Sequence, residues 1–77
     1  MTVKVLFFGI LKDKTGAASA IVEGMHDLNE LKQHLDTKYP SITNQPYLIA
    51  VNEQITKGNL ALNDQDEIAF MPPFAGG

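Results

Sequence analysis

Seventy-seven residues make one small domain, which on folding buries roughly 60% of the surface its unfolded chain exposes. That allows one modest core and leaves little room for a deep enclosed active site. Nine acidic residues against six lysines and no arginine give a net charge of −3, which argues against nucleic-acid binding, and the absence of cysteine excludes disulfides, thiolate metal sites and a cysteine nucleophile.

The chain opens on Val3-Lys4-Val5-Leu6-Phe7-Phe8, and the β-branched and aromatic content predicts a strand from Val3 to about Leu11. Alternation puts Val3, Val5 and Phe7 on one face and Lys4, Leu6 and Phe8 on the other, so both faces carry large apolar groups. With no basic lead and no small-residue cleavage site, this opening is not expected to be a signal peptide. Lys12 to Gly16 is polar and ends in glycine, which predicts a hairpin loop. A weaker second strand is expected from about Ala18 to Glu23, broken by Gly24.

A helix is expected to begin near Asp27. Asp27 and Glu30 have capping-box spacing, and Leu28, Leu31 and Leu35 recur at intervals of three and four, the stripe of a helix facing a core. Tyr39-Pro40 ends it, because the residue before proline is pushed out of the helical region. A loop then runs past Pro46 into a third strand, Tyr47 to Asn52, whose Leu48-Ile49-Ala50-Val51 run suits a central position. Asn52-Glu53 reads as a turn and Gln54 to Lys57 as a short strand. Polar turn clusters follow, including Asn63 to Asp66. The last strand is expected from Glu67 to Met71, stopped by Pro72-Pro73, since proline cannot donate to a ladder. The order β-β-α-β-β-β predicts an α+β layout. One helix covers one sheet face, so the face carrying Leu6, Phe8, Ala69 and Met71 should stay partly exposed.

Side-chain chemistry is scarce. His26, Glu30 and His34 are spaced four apart and could line one helix stripe as a metal site. His26 precedes the helix, however, and Glu30 already serves as a capping residue. Ser19 and Ser41 have no neighbouring His-acid pair, and no phosphate-binding glycine loop is present. Asp64, Asp66 and Glu67 read as a solvated turn. What remains is the ending Phe74-Ala75-Gly76-Gly77. Two glycines without Cβ form a thin end that could thread a narrow channel in another protein, and residues 73–77 can reach roughly 17 Å past the sheet.

Taken together, Val3-Lys4-Val5-Leu6-Phe7-Phe8-Gly9 and the run from Asp64 to Gly77, with its Pro-Pro-x-x-Gly-Gly ending, resemble the MoaD branch of the ubiquitin-like sulfur-carrier family, the small subunits of molybdopterin synthase. The helix from Asp27 and the segment Leu48 to Gln54 fit as well, so the resemblance covers nearly the whole chain. It implies a β-grasp fold: a mixed sheet of four to five strands with one main helix on one face, a single domain over residues 1–77, and a flexible tail at 73–77. It implies further that Gly77 is adenylated by an ATP-dependent, MoeB-type enzyme and converted to a thiocarboxylate, with Gly76 giving the tail its slimness. The tail would insert into a MoaE-type large subunit and pass sulfur to cyclic pyranopterin monophosphate, within a heterotetramer. Partner-binding positions carried over are Phe8, Ile55, Met71, Phe74 and Ala75. No cofactor is expected on this chain, ATP belonging to the activating enzyme, and the sulfur donor is unassigned. The expected setting is cytoplasmic, away from membranes and nucleic acid. Many relatives carry an Arg-acid pair after the first strand where this chain has Lys12-Asp13. A thiamine-pathway carrier, a protein modifier joined through Gly77, and a binding module with an inert tail are the competing readings.

Overall fold

The computed structural model describes residues 1–73; the ending from Phe74 to Gly77 lies outside the described residues. The first strand, β1, runs Thr2–Phe7, shorter than its apolar composition suggests. Ile10–Thr15 follows as a short helix, α1, in place of the expected hairpin loop. Leu11 is the reason: it is fully buried, and its seat in the core winds the backbone around it while Lys12, Asp13 and Lys14 face solvent. Gly16 ends α1 in the left-handed conformation (φ 73°), its N–H donating to the Lys12 carbonyl at 2.9 Å.

Strand β2, Ser19–Glu23, pairs antiparallel with β1. The main helix, α2, spans Leu28–Lys38 with Asp27 as its N-cap. The Asp27 carboxylate accepts from the Glu30 N–H at 2.9 Å, while Glu30 Oε1 reaches back to the His26 N–H at 2.6 Å. The Glu30 N–H chiefly, and the Asn59 side chain after it, hold the Asp27 carboxyl below the usual aspartate range. After Tyr39 the chain makes a 3-10 turn, Pro40–Ile42, that drops Ile42 fully into the core, where the sequence predicts only a loop.

Strands β3 (Leu48–Val51), β4 (Gln54–Thr56) and β5 (Glu67–Met71) complete one five-stranded sheet of order β2-β1-β5-β3-β4. Among the described residues only the β1–β5 pairing is parallel, so the sheet is mixed, as expected. Asn52 (φ 50°) and Glu53 (φ 72°) make the two-residue β3–β4 turn with both φ positive, the geometry that matches strand twist. Asn52 is fitted to this by its surroundings. Its amide donates to Asp66 Oδ1 at 2.9 Å, its Oδ1 accepts from the Glu67 N–H at 3.0 Å, and its own N–H donates to the Glu67 carbonyl at 2.8 Å.

One face of the sheet presents Val3, Val5, Phe7, Val22, Ile49, Val51, Ile68 and Phe70, all buried against Leu28, Leu31, Leu35, Leu11 and Ile42. Phe70 sits among aromatic neighbours, with ring centroids 4.9 Å from Tyr47 and 5.9 Å from Phe7. Among the described residues the order is therefore β-α-β-α-β-β-β around one core, with a single main helix.

Candidate functional site

The opposite face follows from the same alternation. On β1 and β5, inward Val5, Phe7, Ile68 and Phe70 leave Lys4, Leu6, Glu67, Ala69 and Met71 on the other side. Register then assembles them. Leu6 lies opposite Ala69, Ala69 opposite Ala50, and Ala50 opposite Ile55, which makes one apolar row across four strands. A second row places Met71 opposite Leu48, and the Phe8 N–H, donating to the Phe70 carbonyl at 3.0 Å, brings Phe8 alongside. The rows enclose a shallow depression of about 340 Å³ lined by Leu6, Phe8, Ala50, Ile55, Ala69 and Met71, with Glu53 and Glu67 at its margin.

Three of the sequence-derived partner positions thus share one surface. Phe8 is 46% exposed and Ile55 61%, while Met71 is half-buried between its neighbours. Ile55 is not a core residue. Phe74, Ala75, Gly76 and Gly77, the other sequence-derived positions, lie outside the described residues. Leu48 and Ala50 belong to the same surface and were missed, because the run Leu48 to Val51 was read as uniformly apolar. Splitting it by period two separates Leu48 and Ala50 from inward Ile49 and Val51. Ile21, 63% exposed, shares this face through its pairing with Lys4 at the β2 edge.

Elsewhere Asp27, Glu30, Asp64 and Asp66 accept hydrogen bonds that hold the fold. His26 Nδ1 lies 3.1 Å from Glu30 Oε1, both exposed at the start of α2. Asp64 is exposed and accepts from the Thr2 N–H at 2.7 Å, which holds its carboxyl below the usual range. Asp66, read from sequence as part of a solvated turn, is instead 8% exposed. Its carboxylate takes the Asn52 amide and, at 2.8 Å, the Asn63 N–H, so it ties the approach to β5 onto the β3–β4 turn. Among the described residues no group of three or more His, Cys, Asp or Glu side chains is placed to hold a metal ion. No described helix is long and apolar enough to cross a membrane.

Large apolar side chains left uncovered beside a sheet edge, with acidic groups at the margin, are the general character of protein-interaction surfaces. The ThiS family model matches residues 5–77. The molybdopterin synthase sulfur carrier subunit of Mycobacterium tuberculosis (strain ATCC 25618 / H37Rv) is 36% identical, the match covering 97% of this chain and 96% of that protein. A solved protein–protein complex of subunits 1 and 2 of molybdopterin-converting factor from Helicobacter pylori 26695 contains a chain that superposes with a TM-score of 0.80 at 31% identity, over the full length of both. The small archaeal modifier protein 1 of H. volcanii has the same fold, with a TM-score of 0.83 at 16% identity over 95% of this chain and 98% of that one.

Proposed function

This chain belongs to the ThiS family of ubiquitin-like sulfur carriers, in its molybdopterin synthase branch, and on that premise we propose that it is the sulfur-carrying small subunit of a molybdopterin synthase. The observation that carries the reading is the uncovered surface of Phe8, Ile55 and Met71, which lies where the last strand ends and the chain runs on to Gly76-Gly77. A surface so placed can hold a partner while the end of the chain reaches its active site.

In this reading the Gly77 carboxylate attacks the α-phosphorus of ATP on a MoeB-type activating enzyme and releases pyrophosphate. A sulfur nucleophile then displaces AMP from the acyl-adenylate and leaves a thiocarboxylate. The same surface next docks a MoaE-type large subunit. There the thiocarboxylate sulfur attacks a carbon of cyclic pyranopterin monophosphate, and a carbon–oxygen bond of the substrate breaks as that oxygen departs with the electron pair. Water then cleaves the acyl–sulfur bond. The sulfur stays on the substrate and the carboxylate is restored. Two rounds supply the two sulfurs of the molybdopterin dithiolene. The large subunit contributes the residues that bind substrate, so this chain acts as cosubstrate and half-enzyme and binds no cofactor itself. The assembly is a heterotetramer in the cytoplasm. Glu53 and Glu67 at the margin favour basic groups on both partners, which speeds encounter more than it tightens the complex.

Intact-mass measurement after incubation with ATP, the activating enzyme and a sulfur donor tests this. Replacement of one terminal oxygen by sulfur is expected, together with a stable complex with the large subunit. An unchanged mass beside a competent activating enzyme would sink the carrier reading. Lysine-linked adducts as the main product would mark a protein modifier, and a thiazole synthase partner would mark a thiamine-pathway carrier. Deleting Gly77, or adding a residue after it, should abolish transfer and leave Tm unchanged.

A further inference from the structure

The parallel pairing of β1 with β5 runs from Lys4 opposite Glu67 to Phe7 opposite Phe70. One step on stand Phe8 and Met71, and one step further Gly9 and Pro72. Pro72 has no N–H, so the ladder stops and the two residues meet through packing alone. The fit is close: a Cβ on Gly9 would lie 2.7 Å from Pro72 Cγ and 3.4 Å from Cδ. Gly9 also holds φ 58°, ψ −133°, a conformation open to glycine and strained for other residues.

Gly9 is not free to yield. Its carbonyl accepts from the Lys12 and Asp13 N–H groups at 3.1 and 3.4 Å, which makes it the first link of α1. That helix is pinned by buried Leu11 and by Ser41 Oγ, which donates to the Lys14 carbonyl at 2.7 Å. A side chain at position 9 would therefore displace Pro72 rather than Gly9. Pro72 is the first residue after β5, and it is followed by a second ring with fixed φ, so a shift there is carried into the chain beyond.

We propose that Gly9 is a positioning residue for delivery of the C-terminus. Its bare Cα is the seat for Pro72, and the contact sets the direction in which the chain leaves the sheet relative to the docking residues Phe8 and Met71. The inference rests on the sulfur-carrier reading above. Docking and delivery are then separable, since Phe8 and Met71 grip the partner while Gly9 and Pro72 aim the end.

The test compares wild type, Gly9→Ala, Pro72→Gly and Gly24→Ala as thiocarboxylated chains with the molybdopterin synthase large subunit. Gly24 has φ 82° with open space where a Cβ would go, so Gly24→Ala carries the backbone strain without the contact. Because misplacing a reacting group by 1 Å costs on the order of 100-fold, Gly9→Ala and Pro72→Gly should transfer sulfur at least about tenfold more slowly at saturating large subunit, with Kd within about threefold of wild type. Gly24→Ala should match wild type in both. A nuclear Overhauser cross-peak between Gly9 Hα and Pro72 Hγ should be present in wild type. Single-turnover rates for both contact variants within about twofold of wild type at saturation would overturn the proposal, as would a loss residing wholly in Kd. Should Gly9→Ala fail to fold, Pro72→Gly decides alone, because it removes the ring without touching position 9. A wild-type chain that accepts no sulfur overturns the carrier reading and this inference with it. Equal transfer by wild type and variants overturns this inference only.

Discussion

The two faces of the sheet are cut from the same five strands by alternation, and both carry large apolar side chains. On one, Val5, Phe7, Ile68 and Phe70 lie under α2 and are buried. On the other, Leu6, Phe8, Leu48, Ile55 and Met71 have no covering element among the described residues. Burial of apolar area stabilises the fold on the first face at about 25 cal/mol per Å². On the second the same driving force is withheld from folding and stays available for association. The difference teaches that hydrophobicity alone does not define a core. The element packed above it does.

Substitutions on the two faces should therefore separate stability from binding. The largest effect is expected from Phe70→Ala on the covered face, a loss of about 3–5 kcal/mol in urea unfolding. That is a large part of what holds a domain of this size together. A loss under about 1 kcal/mol would show that the aromatic cluster of Phe7, Tyr47 and Phe70 is loosely packed. Asp66→Ala comes next. It strands the Asn52 amide and the Asn63 N–H, and should cost about 1–3 kcal/mol in the same measurement. Ile55→Asp on the open face should behave oppositely, with stability changed by no more than about 0.5 kcal/mol. Affinity for the large subunit should fall about tenfold or more by calorimetry, equivalent to about 1.4 kcal/mol. Unchanged affinity would remove β4 from the docking surface.

The smallest effect concerns pH. Asp27 and Asp64 both have carboxyl pKa values lowered in the folded chain, chiefly by the N–H groups of Glu30 and Thr2. Their contribution is fully present above the unfolded value near about 3.9 and is lost as pH falls through the lower folded values. Asp27→Ala should lower Tm slightly at pH 7 and by progressively less as pH falls below the unfolded value, so a shift that does not shrink with pH would assign the effect to helix propensity instead.

Much of this was legible in the sequence where a local rule met a long enough segment. The cap at Asp27, the leucine stripe and the last strand, Glu67–Met71, stand where expected. So do the outward Phe8 and the β3–β4 turn. What escaped was set by tertiary contact. Helix α1 is six residues long, too short for periodicity, and a single inward residue, Leu11, decides it. Gly16 was its one local sign, as a helix-ending glycine rather than a hairpin glycine. Ile42 and Asp66 look polar in context, and are buried because distant segments close over them. The adjacency of the first and last strands, which gathers Phe8 and Met71, is a long-range pairing that no local pattern announces.

That adjacency has a mechanical consequence. Strand β5 lies in the interior of the sheet, flanked by β1 in parallel and β3 antiparallel. When a partner draws on the chain beyond Pro72, the load runs along β5 and loads the ladders on both flanks in shear. Their bonds must give way together, since no strand end is free to peel open one bond at a time. Resistance to forced unfolding is governed by the unfolding barrier rather than by equilibrium stability. A chain only marginally stable at equilibrium can therefore bear a load applied beyond β5 without losing its fold.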